Sequence, residues 1–564
     1  MYNRRIPMGG RPEAPAPVAL PWWAAPRAAA AIVTAAAIVA YARALGNGFT
    51  YDEGLVILGA QRFLQSAAFG TLFSPSYFSG SLEGTWRPVC TFTYMLDAMV
   101  SMHPAVFKAQ SLLWHVGAAL LVMTLVRRLL PESRRRYALW AGLLFALHPV
   151  TAETVDNASF REDSLVTVFT LATLILALDG RRRLALLTFA LGLLSKESAV
   201  VAPALLAILR IGRFDGAPAR PARATAIALL RELAPFGAIA LIYLGLRFGP
   251  MRMPGTYAQY PGGSFAGTLI GLPAIWAHDI RLLVWPWPLC ADYSGYFRFG
   301  PQPWGPVLGA LAVVAAYLGL VLFALRRGAR VVALGLGWFL LTLLPVSNLL
   351  PIPIPAAERF LYLPLCGIAL AAAASFGWLM ERLQDPPAPV ARRLALVLGA
   401  GLLGAFAVVL QLRHGDWRND QTLWLATVAV NPRSCGAQSA VGGNLLSRGM
   451  ASGEHDVLLA SEAREELALS LCADDSDPFR AAATYTRLGA ARALLDDRAG
   501  AREALIHAIR LTPRNPLPVV WLGYQAYREG DLNAAADFLK HAIIDLGPPD
   551  GTVAAVAQLY VDKI

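Results

Sequence analysis

An acidic pair, Asp52-Glu53, follows within ten residues of the end of the first strongly apolar segment, Ala28 to Leu45. A carboxylate kept at a membrane surface is costly to desolvate and usually serves a function. The same mixture of acids and cations recurs at the ends of later apolar segments: Glu83-Gly84-Thr85-Trp86-Arg87-Pro88, His148-Pro149-Val150-Thr151-Ala152-Glu153, Arg161 with Asp163, Lys196-Glu197, and Glu358-Arg359 with Tyr362. Alone, such an Arg reads as a headgroup anchor and such a His as a helix cap. Together they fit departure of a sugar from a lipid phosphate. A carboxylate takes the proton of an acceptor hydroxyl, and Arg, Lys or a metal meets the charge that gathers on the leaving phosphate. The chain has neither a Gly-rich phosphate loop nor a dinucleotide fingerprint, which argues against a nucleotide-sugar donor.

These residues need a membrane scaffold, and the composition supplies one. Of 564 residues, 56% are hydrophobic and only 15% charged, against about a quarter charged in an average soluble domain. The formal net charge is +11, but Lys and Arg fall in clusters between apolar blocks, and no nucleic-acid motif accompanies them. The basic clusters predict the cytoplasmic loops. Spans are then expected near 28–45, 106–126, 137–154, 164–180, 184–196, 198–212, 232–248, 305–325, 331–346, 359–379 and 394–412. An odd number of crossings puts the N-terminus in the cytoplasm and everything after Arg413 outside, as expected of a multi-pass protein of a bacterial inner membrane or its equivalent. The short fifth and sixth spans, broken by Lys196-Glu197, leave a reentrant pair open. Gly267 to Trp287 carries His278, Asp279 and Arg281 and ends in Trp285-Pro286-Trp287-Pro288, so it is expected to lie in the outer interface. Were it to cross, the C-terminal part would face the cytoplasm.

Residues 1–27, rich in Pro, Arg and Ala, read as a disordered cytoplasmic tail, 28–412 as the membrane domain, and the stretch after Ala28 as an uncleaved signal anchor. Cys90, Cys290, Cys366, Cys435 and Cys472 show no metal spacing; for Cys435 and Cys472, free buried thiols are the expectation and a disulfide the alternative. From 413 to 564 a period appears: Leu488-Gly489 returns as Leu522-Gly523, Ala501 as Ala535 and Ala508 as Ala542, with Pro513 and Pro548 closing the units. Small residues 34 apart let antiparallel helices pack closely, the tetratricopeptide design, and predict an extracytoplasmic α-solenoid. An earlier unit runs through Gly443 and Ala468, led by a helix over Thr422 to Pro432. The solenoid reads equally as a structural cap or as a groove for a polypeptide acceptor. The fold class is therefore all-α, a polytopic membrane bundle followed by a solenoid.

In this order the residues resemble the transmembrane and tetratricopeptide-repeat O-mannosyltransferases, within the type C (GT-C) glycosyltransferases. The matching segments are Phe49-Thr50-Tyr51-Asp52-Glu53, Trp86-Arg87-Pro88, His148-Pro149-Val150 to Glu153, Arg161 with Asp163, Lys196-Glu197, Pro288 with Asp292-Tyr293-Ser294, Ser347-Asn348, Glu358-Arg359 to Pro364, and Asp416-Trp417-Arg418. The resemblance implies transfer of a hexose, mannose, from a polyprenyl-phosphate donor to a protein hydroxyl on the extracytoplasmic face. It implies Asp52 as general base, Glu53 and Glu153 positioning the acceptor or an optional divalent ion (Mg or Mn), and Arg359 with Lys196 holding the lipid phosphate. Arg87, His148, Arg161, Glu197, Glu358 and Tyr362 complete the implied substrate site. Thr151 replaces the family's second His, and the repeat array is shorter than usual. An envelope glycan or lipid acceptor, or a membrane-anchored scaffold without enzyme activity, are the other readings. A transporter fits less well, since the ionisable residues sit at span ends.

Overall fold

The structure, a computed structural model, describes Trp23 and residues 25–546 apart from 215, 217, 219, 220, 253–259, 300–303, 353, 385 and 472–477. Most of the expected N-terminal tail, Cys472 and Pro548 lie outside the described residues. Among the described residues every regular element is helical. The helices of eight residues or more are α1 (Pro26–Tyr41), α2 (Pro88–Val100), α3 (Pro104–Leu129), α4 (Ala138–Leu147), α5 (Arg161–Leu178), α6 (Arg182–Ser195), α7 (Ala202–Ile211), α8 (Ala222–Phe248), α9 (Phe265–Val284), α10 (Trp304–Arg326), α11 (Arg330–Leu343), α12 (Tyr362–Arg382) and α13 (Pro389–Asp416). Then come α14 (Asp420–Val430), α15 (Cys435–Ser452), α16 (His455–Leu471), α17 (Pro478–Leu494), α18 (Arg498–Leu511), α19 (Pro516–Glu529) and α20 (Leu532–Lys540).

Among the described residues six helical stretches are long and apolar enough to cross a membrane: Pro26–Gly46, Pro104–Leu129, Ala222–Phe248, Trp304–Arg326, Glu358–Arg382 and Pro389–Asp416. The span expected over 137–154 is broken. Its helix stops at Leu147, and the chain bends by 52° into the short helix Ala152–Asp156. Pro149 cannot donate to the ladder, and His148 takes the first free amide of the new turn, Val150 N–H. The fifth and sixth expected spans become α6 and α7, of 14 and 10 residues, about 21 and 15 Å long, each shorter than a hydrocarbon core of about 30 Å. Gly267 to Val284 falls within α9, which buries His278 and Asp279.

At the centre α3 packs against α1, α4 and α5, while α4 also meets α1 and α12. Where α11 crosses α12, a Cβ on Gly335 would come 2.4 Å from the Gly367 carbonyl, so only paired glycines allow this approach. After α13, three helical hairpins follow one another, α15/α16, α17/α18 and α19/α20. The 34-residue period falls on their contacts. A Cβ on Gly489 would meet Leu505 Cγ at 2.6 Å and one on Gly523 would meet Leu539 Cγ at 3.0 Å, while Ala501, Ala508, Ala535 and Ala542 are buried. Cys435 is disulfide-bonded, which corrects the free thiol expected there, whereas Cys90, Cys290 and Cys366 are free and buried.

Candidate active site

The acidic pair sits on a tight turn whose two carboxylates go opposite ways. Glu53 is fully buried and accepts the amides of Thr50 (2.7 Å) and Ala158 (2.7 Å), with Lys108 Nζ 3.5 Å away. Expected beside the acceptor or an ion, it instead ties the turn to the loop before α5, because both its oxygens are taken by these donors. Asn157 Nδ2 adds a bond to the Thr50 carbonyl at 3.0 Å. Between them Tyr51 takes φ +55°, a left-handed conformation costly for a non-glycine residue. Contacts from the first C-terminal helix hold it there. Tyr51 N–H donates to Asp420 Oδ1 at 2.8 Å, and its ring stacks on Trp424 with centroids 5.0 Å apart and meets Phe160 edge-on.

This conformation turns Asp52 into a cleft of about 250 Å3 between the membrane domain and the C-terminal helices, lined also by Asp292, Asp420, Trp424, Arg480 and Arg487. Among the described residues the Asp52 side chain makes no hydrogen bond or ion pair, unlike the other carboxylates of this region. It keeps contact with solvent through the cleft, yet the surrounding protein strips enough water to push its carboxyl up to about 6. Burial is the main cause; Arg359 pulls the other way, and Glu162 and Glu153 add to the rise.

Behind Asp52 the cations and acids are matched. Arg359 donates from Nη1 and from its backbone amide (2.8 Å) to the Glu153 carboxylate, and its guanidinium lies 3.9 Å over the Phe160 ring. Its Nε and Nη2 donate to no protein atom among the described residues. Lys196 Nζ meets both Asp163 oxygens at 2.6 Å and Glu162 at 3.9 Å. Arg87 meets Glu162 at 2.8 Å and Glu197 at 3.9 Å, and Arg247 of α8 reaches Glu197 at 3.8 Å. Arg87 Nε is buried and unpartnered.

Other implied residues lie away from this cleft. His148 is buried, bonds the Leu283 carbonyl at 3.2 Å and caps the break after α4. Tyr362 OH bonds His115 Nδ1 at 2.7 Å inside the bundle. Arg161 spends its guanidinium on Asp97, Ser111, Thr93, Gln110 and the Phe107 carbonyl. Glu358 pairs with Arg413 at 3.0 Å and accepts from Tyr293 OH. Glu53 and Glu153, implied as holders of an optional divalent ion, are both engaged by protein donors. Among the described residues no three His, Cys, Asp or Glu side chains gather into a metal-holding group.

Several residues of the site were not picked out from the sequence. Arg413 and His414, the latter 2.6 Å from Asp156 Oδ2, fasten the end of α13 to the Asp52 side; they lie just before the Asp416-Trp417-Arg418 step. Lys108 gave a local signal, a lone cation within an apolar span. Asp420, Trp424, Arg480 and Arg487 reach the cleft from far along the chain and gave none.

No family model matches the chain. It is similar to the protein O-mannosyl-transferase TMTC4 of Homo sapiens, 25% identical over 500 residues that cover 77% of this chain and 65% of the relative. It is likewise similar to the protein O-mannosyl-transferase F38B6.6 of Caenorhabditis elegans, 26% identical over 417 residues (71% and 57%). Tmtc1 of Drosophila melanogaster, also named a protein O-mannosyl-transferase, is 26% identical over 506 residues (71% and 57%). These relatives agree with the resemblance seen in the motifs. The chain spans less than two thirds of their length.

Proposed function

We propose that this protein is a membrane glycosyltransferase that moves a hexose, mannose, from a polyprenyl-phosphate donor to a hydroxyl of a polypeptide on the extracytoplasmic face. The observation that carries the reading is Asp52: one unpaired carboxylate, held in a strained turn at the wall of an open cleft, backed by cations whose own charges are balanced. The acceptor hydroxyl enters the cleft from the side of the C-terminal helices and gives its proton to Asp52. Its oxygen forms the new bond to C1 of the sugar as the bond from C1 to the phosphate oxygen breaks, so a single displacement inverts the anomeric centre. The electron pair leaves with the phosphate, and Arg359, using Nε and Nη2, is the nearest candidate to receive that charge. Glu153 orients Arg359, Glu53 holds the turn, and Lys196 and Arg87 belong to the charge-balanced wall behind it.

Purified protein in liposomes, given polyprenyl-phosphate mannose and a Ser/Thr-rich peptide, should form a mannosyl peptide detectable by mass spectrometry. Asp52→Asn keeps the side-chain shape and removes the proton acceptor, and should lower turnover by roughly two to four orders of magnitude. A variant that turns over at the wild-type rate refutes the mechanism.

A further inference from the structure

The wall of the Asp52 cleft that the C-terminal helices supply includes Arg487 of α17. Its guanidinium is gripped along one edge, Nε donating to Glu465 Oε1 at 2.8 Å and Nη2 donating to Ser439 Oγ. Glu465 is buried and accepts the Ser439 hydroxyl as well, and Thr484 Oγ1 lies 3.0 Å from Ser439 Oγ. A Cβ on Gly443 would come 2.9 Å from Arg487 Cδ, so α15 leaves room for this side chain. Glu465 thus matches the charge, and no further ion is needed. Nη1 is left over: it donates to no protein atom among the described residues and keeps contact with solvent, on a side chain 32% exposed. Its charged neighbours in the cleft are engaged. Asp292 accepts from Ser434 Oγ at 2.6 Å and from Ser294 N–H at 2.8 Å, Asp420 accepts from Tyr51 N–H, and Arg480 has its own partners within the protein. Only Asp52 resembles Arg487 in keeping a free end, and it does so from the membrane domain.

We infer that Arg487 reads the acceptor as a polypeptide: while the hydroxyl of a Ser or Thr donates to Asp52, Nη1 donates to the main-chain carbonyl of the same residue. The inference rests on the reading of Asp52 as the base. A neutral oxygen is the fitting partner for Nη1, because Glu465 already balances the guanidinium, and a carboxylate or phosphate in this place would face Asp52, Asp292 and Asp420 in one small cleft. The hydroxyl of a Ser or Thr is a donor for Asp52, and its main-chain carbonyl, a few bonds away, is an acceptor for Arg487. The fixed edge keeps the planar fork in one orientation, so little freedom is lost when the carbonyl binds.

The test measures binding of a fluorescent Ser-containing peptide to the full chain in detergent by anisotropy, without the lipid-linked sugar, so that it does not depend on turnover. Arg487→Lys keeps a cation beside Glu465 but spends its single ammonium there, and should weaken peptide binding about tenfold with the melting temperature unchanged. An analogue with an (E)-alkene in place of the amide that follows the serine lacks the carbonyl. It should bind the unaltered protein about tenfold more weakly than the peptide, and Arg487→Lys should bind it no more weakly still. Full peptide binding by Arg487→Lys, or no peptide binding by the unaltered protein, overturns the inference. An equal loss for peptide and alkene analogue in Arg487→Lys overturns the carbonyl as the partner of Nη1. Displacement of the labelled peptide by methyl mannoside but not by unlabelled peptide makes a glycan the occupant and overturns it too. Mannosyl transfer is assayed apart from binding: a protein that binds the peptide through Arg487 yet forms no mannosyl peptide upholds the contact and refutes the proposed reaction.

Discussion

The two ends of the membrane bundle use the same residue types at different depths. Around Asp52, Arg359, Lys196, Arg87 and Arg413 each meet a carboxylate within the protein, most of them buried. At the other end, Arg128, Arg134 and Arg135 meet Asp179, Glu381 and Glu132 at partly or largely exposed positions. Burial decides the difference. A charge removed from water must be matched by the protein itself, whereas a charge at a rim can be matched by solvent or lipid. The buried end therefore holds a fixed arrangement in which one unmatched carboxylate stands out.

The comparison breaks most sharply at that carboxylate. If Asp52 is the base, Asp52→Asn has the largest effect on turnover, and the wild-type pH profile carries its signature. A carboxyl held at about 6 accepts a proton only when ionised, so kcat/KM should fall about tenfold per pH unit below about 6 and be level above it. A profile level down to pH 5 would remove Asp52 from the role. The next effect is on stability. Glu153→Gln leaves the Arg359 charge buried against a neutral amide and should destabilise the protein by about 3–5 kcal/mol, read as a lower melting temperature in detergent; an unchanged midpoint would show that water reaches the pair.

Smaller is the effect expected across the cleft. Trp424→Ala removes the ring stacked on Tyr51, an interaction of about 0.5–1.5 kcal/mol, and should lower kcat two- to tenfold with the donor KM unchanged. Trp424→Phe should restore most of the loss, and a change in donor KM alone would make Trp424 a binding residue instead. Smallest is the far end. Arg128→Ala breaks a pair whose side chains are more than a third exposed, and should cost less than about 1 kcal/mol. A loss comparable to that of Glu153→Gln would erase the distinction between the two ends.

Much of the fold was legible because apolar runs and basic clusters are local signals. The helix over 104–129 and the hairpins with recurring Gly489 and Gly523 could be read residue by residue. The break at Leu147 carried its cause in Pro149, but a hydropathy window averages over a proline. Asp52 could be found as the first acid after the first span. That its neighbour Glu53 faces the other way could not, because this depends on the left-handed Tyr51, and that conformation is held by Asp420 and Trp424 some 370 residues away. Likewise Arg359 could be expected near a phosphate, but not its pairing with Glu153, a contact across 206 positions.

The Tyr51 turn also bears on when the cleft is completed during the life of the chain. Its conformation relies on residues of α14, and the wall behind it on Arg413 and His414 at the end of α13, the last of the long apolar helices, so the ribosome delivers them after the rest of the membrane bundle. A nascent chain stopped before residue 413 would contain α1 to α12 but would lack the Asp420 and Trp424 contacts that hold Tyr51 in its left-handed state, keeping only the edge-on Phe160 ring. The arrangement that turns Asp52 into the cleft is therefore complete only after residues far beyond the first twelve helices have been added.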